Sequence, residues 1–329
     1  MTGKKRHRMR QEERKTSEAT ELRSTRSGEL AKPVEHKECG NAVRAGRPNG
    51  VSYLREGLMK YVFAASAGAA ILSLLLICIF LFANGIPAFS KIGLWDFISG
   101  TDWAPADEPP SFGILPMIMG SIYVTVGAVL IGAPIGIFTA VFMAYYCPKS
   151  IYRFLKSATD LLAGIPSIVY GFFGLMLIVP AIRSTVGGSG FSVLAAAIIL
   201  GVMILPTIIG VGEAAIRAVP SACYENAVAL GASRERSIFF AVLPAAKKGV
   251  LAGVILGIGR AIGETMAVIM VAGNQARMPD GVLKGVRTLT ANIVIEMGYA
   301  ADLHRDALFA TALVLLLFIL IINLILKVL

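Results

Sequence analysis

GIGRAIGETMAV, residues 257–268, lies in a run from Gly249 to Gly273 that is otherwise almost wholly apolar. Such a run can cross a bilayer, because about 20 residues rising roughly 1.5 Å each cover the hydrocarbon core. Arg260 then falls close to mid-membrane. A helix of 3.6 residues per turn sets Gly253, Gly257, Arg260, Glu264 and Ala267 along one stripe, and Leu251, Ile255, Ile258, Ile262 and Ile269 on the opposite face. The second face suits lipid. The first is small and charged, and each mid-bilayer charge costs about 2.5–3.5 kcal/mol on insertion scales. That face is expected to meet protein or a water-filled path, with Arg260 and Glu264 as an i,i+4 pair. Stability alone is better served by apolar packing, so the pair points to a conduit without naming its cargo.

The rest of the chain agrees with a membrane reading. Of its 329 residues, 56% are hydrophobic and 16% charged, with a mean hydropathy of +0.71. The net charge of +10 is uneven, since 15 of the 31 Lys and Arg residues precede Tyr61. The basic balance therefore describes a tail, residues 1–60, and the sequence lacks the groove-reading motifs and interleaved aromatics of a nucleic-acid binder. Without apolar periodicity, most of the tail is expected to be disordered and to act as a positive-inside anchor. Cys39, Cys78, Cys147 and Cys223 have no metal-type spacing and are expected to be free thiols.

Six apolar segments read as spanning helices, at about 61–83, 115–146, 161–181, 191–211, 249–273 and 307–329. Pro134, Pro166 and Pro206 permit kinks within them. The balance of Lys and Arg places both termini in the cytoplasm, although the last outer loop, with Arg277, Lys284, Arg287 and Arg305, fits that rule least well. Trp95 and Trp103 are expected at the outer interface. His7, His36 and His304 are scattered and suggest no metal site.

On the cytoplasmic side, residues 212–248 include RAVPSACYENAVALGASRERSIFFAVLPAAKKG, 217–249. Ser221 after Pro220 is a candidate cap, Gly231 can end a short helix, and Ser233 can cap a second one running toward Pro244. Glu225, Ala227, Gly231, Leu243 and Pro244 resemble the EAA loop of bacterial ABC importer permeases, with Asn226 and Ala241 departing from its usual residues. From about residue 61 onward the likeness narrows. AGIPSIVYGFFGL (163–175), GILPMIMGSIYVT (113–125) and above all GRAIGETMAV (259–268) are similar to the PstC-type permeases of phosphate importers.

The resemblance implies an all-α, six-helix ABC importer permease fold in the bacterial inner membrane, working by alternating access. It implies that Glu225, Ala227, Gly231, Leu243 and Pro244 couple to ATPases and that Arg260 and Glu264 line the substrate path. Ser167 and Tyr170 are further path candidates, although IPSIVYG reads first as a kinked packing segment. The implied partners are a PstA-like second permease, two ATP-binding subunits and an extracytoplasmic phosphate-binding protein, besides membrane lipid. The chain carries no G-x-x-x-x-G-K-[ST] loop, so ATP and magnesium are expected in the partner ATPases and no cofactor or catalysis in this chain. Two alternatives remain open from the residues: a permease for another oxyanion such as molybdate or sulfate, and an ion-coupled carrier or channel using Arg260 and Glu264 without ATP.

Overall fold

A computed structural model describes residues 50–328, with side chains from 58 to 324. Residues 1–49, with Cys39, His7 and His36, lie outside the described residues. Six described helices are long and apolar enough to cross a membrane: α1 (Gly50–Ile92), α3 (Leu115–Tyr146), α5 (Ser167–Val186), α6 (Val193–Arg217), α8 (Arg234–Gly263) and α11 (Asp302–Val328). The shorter elements are α2 (Leu94–Ser99), β1 (Trp103–Ala104), β2 (Ser111–Phe112), α4 (Lys149–Gly164), α7 (Ser221–Ala229), α9 (Met266–Val271) and α10 (Leu289–Glu296). β1 pairs with β2 antiparallel, Trp103 opposite Phe112. Residues up to Ile71 belong to an N-terminal unit and those from Leu72 onward to a second. Side chains 58–71 are all exposed, as suits a helix solvated by lipid.

Within the second unit α6 is central, and small residues explain why. On α3, Ala128, Gly132, Gly136 and Ala140 recur every four residues and are buried. A Cβ on Gly132 would come within 2.8 Å of the Gly201 carbonyl oxygen, and one on Gly136 within 2.7 Å of Ile208. From the other side, Gly249, Gly253 and Gly257 of α8 oppose Ala215, Val211 and Ile208. With no hydrophobic force between helices in lipid, such close backbone approach supplies the dispersion energy that holds them together.

Several helix limits differ from those the periodicity suggests. The third span is two helices, because Pro166 has no amide to donate and α4 ends at Gly164 before α5 begins at Ser167. The fourth runs on to Arg217, which brings Glu213 inside it. The fifth starts at Arg234 and stops at Gly263. It carries a π-turn over Ile238–Val242, where Leu243 N–H donates to the Ile238 carbonyl one residue further back than usual. Pro244 follows at once, and a π-turn is a way to absorb its missing donor. The second short cytoplasmic helix is thus the start of the fifth span itself, and the connection shrinks from 212–248 to 218–233.

The connections expected on the outer side hold two further features. Trp103 is buried, unlike the exposed Trp95, and its indole N–H donates to Glu296 Oε2 at 2.8 Å. The same carboxylate meets Arg287 Nη1 at 2.5 Å and His304 Nε2 at 2.8 Å, while Lys284 pairs with Asp280. Two of the four basic residues that strained the charge rule therefore carry their own counter-ions.

Candidate translocation path and coupling region

Arg260 and Glu264 are not an ion pair. α8 ends at Gly263, and Glu264 has an extended backbone, with ψ 132°. That bend removes the helical geometry in which positions four apart face one another. Glu264 Oε1 instead accepts the Ala267 N–H at 3.2 Å, taking one of the orphan amides at the start of α9. The Glu264 carbonyl, freed by the break, accepts the Thr290 hydroxyl at 3.0 Å from α10. α10 is itself tied down by the Leu289 N–H donating to Ser121 Oγ of α3 at 3.0 Å.

Arg260 is half-buried. Its guanidinium makes no ion pair or hydrogen bond with another described residue. The small face of α8 is otherwise as expected, with Gly253, Gly257 and Ala261 buried. Ile262 departs from it. Placed by periodicity toward lipid, it is buried because the end of α8 is enclosed by α3 and α11, where it joins Thr125, Val129 and Phe318 around one groove. Ser167 opens α5 and is half-buried. The Tyr170 hydroxyl donates to the Leu162 carbonyl at 2.7 Å, so it repairs the break that Pro166 leaves between α4 and α5. The structure thus ties Tyr170 to the Pro166 break and gives Glu264 a task separate from Arg260.

In the connection between the fourth and fifth spans α7 closes with a Schellman arrangement, as Ala232 N–H donates to the Ala227 carbonyl and Gly231 N–H to that of Val228. Gly231 adopts φ +88°, a left-handed conformation that costs other residues roughly 1–2 kcal/mol. Ser233 caps the start of α8 by accepting the Arg236 N–H. Ser221 caps nothing, since Pro220 holds the cap position of α7. Glu225 and Pro244 are exposed, and Leu243 is half-buried against the cluster of Ala140, Ile216 and Val242. Glu225 and Pro244 are therefore free to meet another chain.

One charged cluster escapes the sequence reading altogether. Glu213, only 3% exposed, receives Arg217 Nε at 2.8 Å and lies 3.5 Å from Lys156 Nζ. A hydrogen bond to Glu213 pushes the pKa of the Tyr152 phenol above its ordinary value. The Glu-x-x-x-Arg spacing was the available signal, hidden by ending the fourth span before Glu213.

These features converge with the family comparison. Residues 132–329 match the model of the binding-protein-dependent transport system inner membrane component family. The chain belongs to that family. It is 38% identical over 262 residues to the probable ABC transporter permease protein YqgH of Bacillus subtilis (strain 168), covering 78% of this chain and 85% of that one. It is 35% identical over 299 residues to the phosphate transport system permease protein PstC of Mesorhizobium japonicum, covering 83% and 90%. A bacterial alginate ABC transporter solved in complex with an alginate pentasaccharide-bound periplasmic protein has a chain that superposes with a TM-score of 0.58 at 15% identity, covering 83% of this chain and 94% of that one, a likeness of fold. The protein is a multi-pass membrane permease.

Proposed function

We propose that this chain is the PstC-like permease subunit of an ATP-driven phosphate importer. Similarity to a named phosphate permease supports the class, and one structural observation supports the cargo: Arg260 is a half-buried cation with no counter-ion among the described residues. Inside a membrane such a charge is too costly to be idle. A passing anion is the partner it lacks. Its carboxylate neighbour in sequence is hydrogen-bonded to the Ala267 amide, so it does not hold the guanidinium in an ion pair.

The remaining assignments follow from that reading. Both termini lie in the cytoplasm, and Glu225, Ala227, Gly231, Leu243 and Pro244 form the surface that meets two ATP-binding subunits. Those subunits hold ATP and magnesium. A PstA-like permease completes the path, and an extracytoplasmic phosphate-binding protein delivers the cargo. This chain makes and breaks no covalent bond. It moves between states that ATP binding and hydrolysis bias differently.

Uptake of labelled phosphate by proteoliposomes holding the assembled complex tests the proposal, with molybdate and sulfate as competitors. Phosphate uptake that depends on ATP and resists both competitors is expected. Transport of molybdate or sulfate in preference to phosphate shifts the reading to another oxyanion, and uptake without ATP shifts it to a carrier or channel.

A further inference from the structure

The connection 218–233 is fastened at both ends to the same place. Arg217 closes α6 just before it, and its Nη2 donates to the Met143 carbonyl at 2.9 Å. Arg234 opens α8 just after it, and its Nη2 donates to the Tyr145 carbonyl. Both acceptors belong to the last turn of α3, a π-turn over Phe142–Tyr146. The final carbonyls of a helix have no following amides to bond, and they carry the negative end of its dipole. α3 has no basic residue in its own last turn. Arginines from the fourth and fifth spans supply what it lacks.

Ring contacts tighten both fixings. The Arg234 guanidinium lies 4.9 Å above the Tyr146 ring and that of Arg217 lies 4.8 Å above Tyr152. Tyr224, on α7, meets Tyr145 with ring centroids 5.7 Å apart. Arg217 is in turn aimed by Glu213, whose second oxygen faces Lys156 of α4. By contrast, Gly231 has no atom within 4 Å of where a Cβ would stand.

Resting on the assignment of 225–244 as the ATPase-facing lever, we propose that the second span, α3, is the element that receives the lever's motion. α7, the two arginines and the last turn of α3 move as one body. A single attachment would leave the connection free to swivel, so that a push on α7 would be absorbed by bending at Pro220 and Gly231. Two charge-assisted attachments on either side of α7 remove that freedom. The push is then delivered to α3, and through its close glycine contacts to α6. Arg217 and Arg234 are positioning residues in this scheme, and Glu213 orients the first of them.

The test uses the complete complex in proteoliposomes and reads inorganic phosphate taken up per ATP hydrolysed. In the double variant Arg217→Met, Arg234→Met, the ATPase subunits are expected to co-purify at their usual ratio and ATP hydrolysis to persist. Uptake per ATP falls about tenfold, the factor that corresponds to about 1.4 kcal/mol. Each single change has a smaller effect, and Arg→Lys restores part of it, because an ammonium can reach one carbonyl but cannot also lie flat on a tyrosine ring. A wild-type ratio in the double variant overturns the proposal, as does a reduced yield of complex whose survivors keep the wild-type ratio. Gly231→Val, measured alongside, separates the two layers: if it uncouples and the double variant does not, the lever stands and α3 is not its receiver. If Gly231→Val is itself silent, the lever and this inference fall together. As an independent reading, spin labels at Phe142→Cys, exposed on the last turn of α3, and at Asn226→Cys, in a chain with its native cysteines replaced by serine, should keep their separation between ATP-free and ATP-trapped states. A change greater than about 2 Å, the size of an ordinary helix shift, overturns the one-body picture.

Discussion

Glu213 with Arg217 and Arg260 with Glu264 are the same pattern, opposite charges four residues apart in an apolar helix, and they have opposite fates. The first pair closes at 2.8 Å and draws in Lys156. The second never forms. Two physical differences account for this. Glu213 precedes its arginine, the order that i,i+4 geometry and the helix dipole favour, whereas Arg260 precedes its glutamate. More decisively, α6 continues to Arg217, while α8 stops at Gly263, one residue before Glu264. Glycine at 259 and 263 and a β-branched Thr265 weaken the helix there, and the Thr290 hydroxyl makes the break tolerable by donating to the freed Glu264 carbonyl. The spacing rule for charge pairs is conditional on a continuous helix, and continuity here is decided by a contact from 26 residues away.

If that contrast is correct, neutralising the two arginines has different consequences. Arg260→Met has the largest expected effect in the molecule. Phosphate uptake falls by about 100-fold or more, as loss of a charged contact worth about 3 kcal/mol implies. The melting temperature of the complex stays level or rises, because an uncompensated charge has been removed. Wild-type uptake by a fully assembled Arg260→Met complex would remove Arg260 from the path, and a large drop in melting temperature would mean that the arginine has a structural partner after all.

Next in size is Gly231→Val. The left-handed φ of +88° at this position costs a β-branched residue roughly 1–2 kcal/mol, and there is space for the side chain itself. The end of α7 is expected to reshape while membrane insertion is unaffected, and uptake per ATP to drop several-fold. Insertion is checked by the yield of detergent-extracted chain. A normal ratio of uptake to hydrolysis breaks the lever assignment.

Glu213→Gln comes third. The buried carboxylate is lost, but Arg217 and Lys156 are half-exposed and remain partly solvated, so the cost is about 1–2 kcal/mol and not the several of a fully buried pair. Thermal unfolding of the purified complex measures it. No change in stability would place this pair among the surface contacts that contribute nothing.

The sequence carries some of these features more openly than others. The six apolar runs, the Gly231 turn and the Ser233 cap are local, and each has a residue-level cause that is visible without the fold. Apolar runs alone blur helix ends, because lipid-facing and core-facing residues look alike. That is why the fourth span seemed to end before Glu213 and the fifth to begin at Gly249. The small stripe of Gly253 and Gly257 was legible, since glycines in a membrane helix have few other uses. The neighbours of Arg260 were not, because a helix break stabilised by α10 and a Tyr170 hydroxyl bonded across the Pro166 gap are tertiary facts. Trp103 and His304 share this limit: an interface belt and a lone histidine gave no hint of the common carboxylate, Glu296, that buries one and holds the other.

The smallest expected effects come from Glu264, and they bear most directly on the contrast between the two pairs. In the structure this side chain contributes one hydrogen bond, from its Oε1 to the Ala267 N–H. Glutamine keeps a carbonyl oxygen in the same place, so Glu264→Gln should leave assembly and melting temperature unchanged within about 0.5 kcal/mol, the spread of neutral substitutions. Alanine loses the acceptor and leaves an amide at the start of α9 without a partner, at a cost of about 1 kcal/mol, typical of a lost helix cap. A paired Glu264 would behave differently. Removing its charge would strand Arg260 and lower stability by several kcal/mol in both variants alike. Equal and large destabilisation by Gln and Ala therefore restores the ion pair, whereas a small loss confined to Ala supports the break. With folding unaffected in the glutamine variant, any change in its uptake rate reports the carboxylate's charge acting on the path and nothing else.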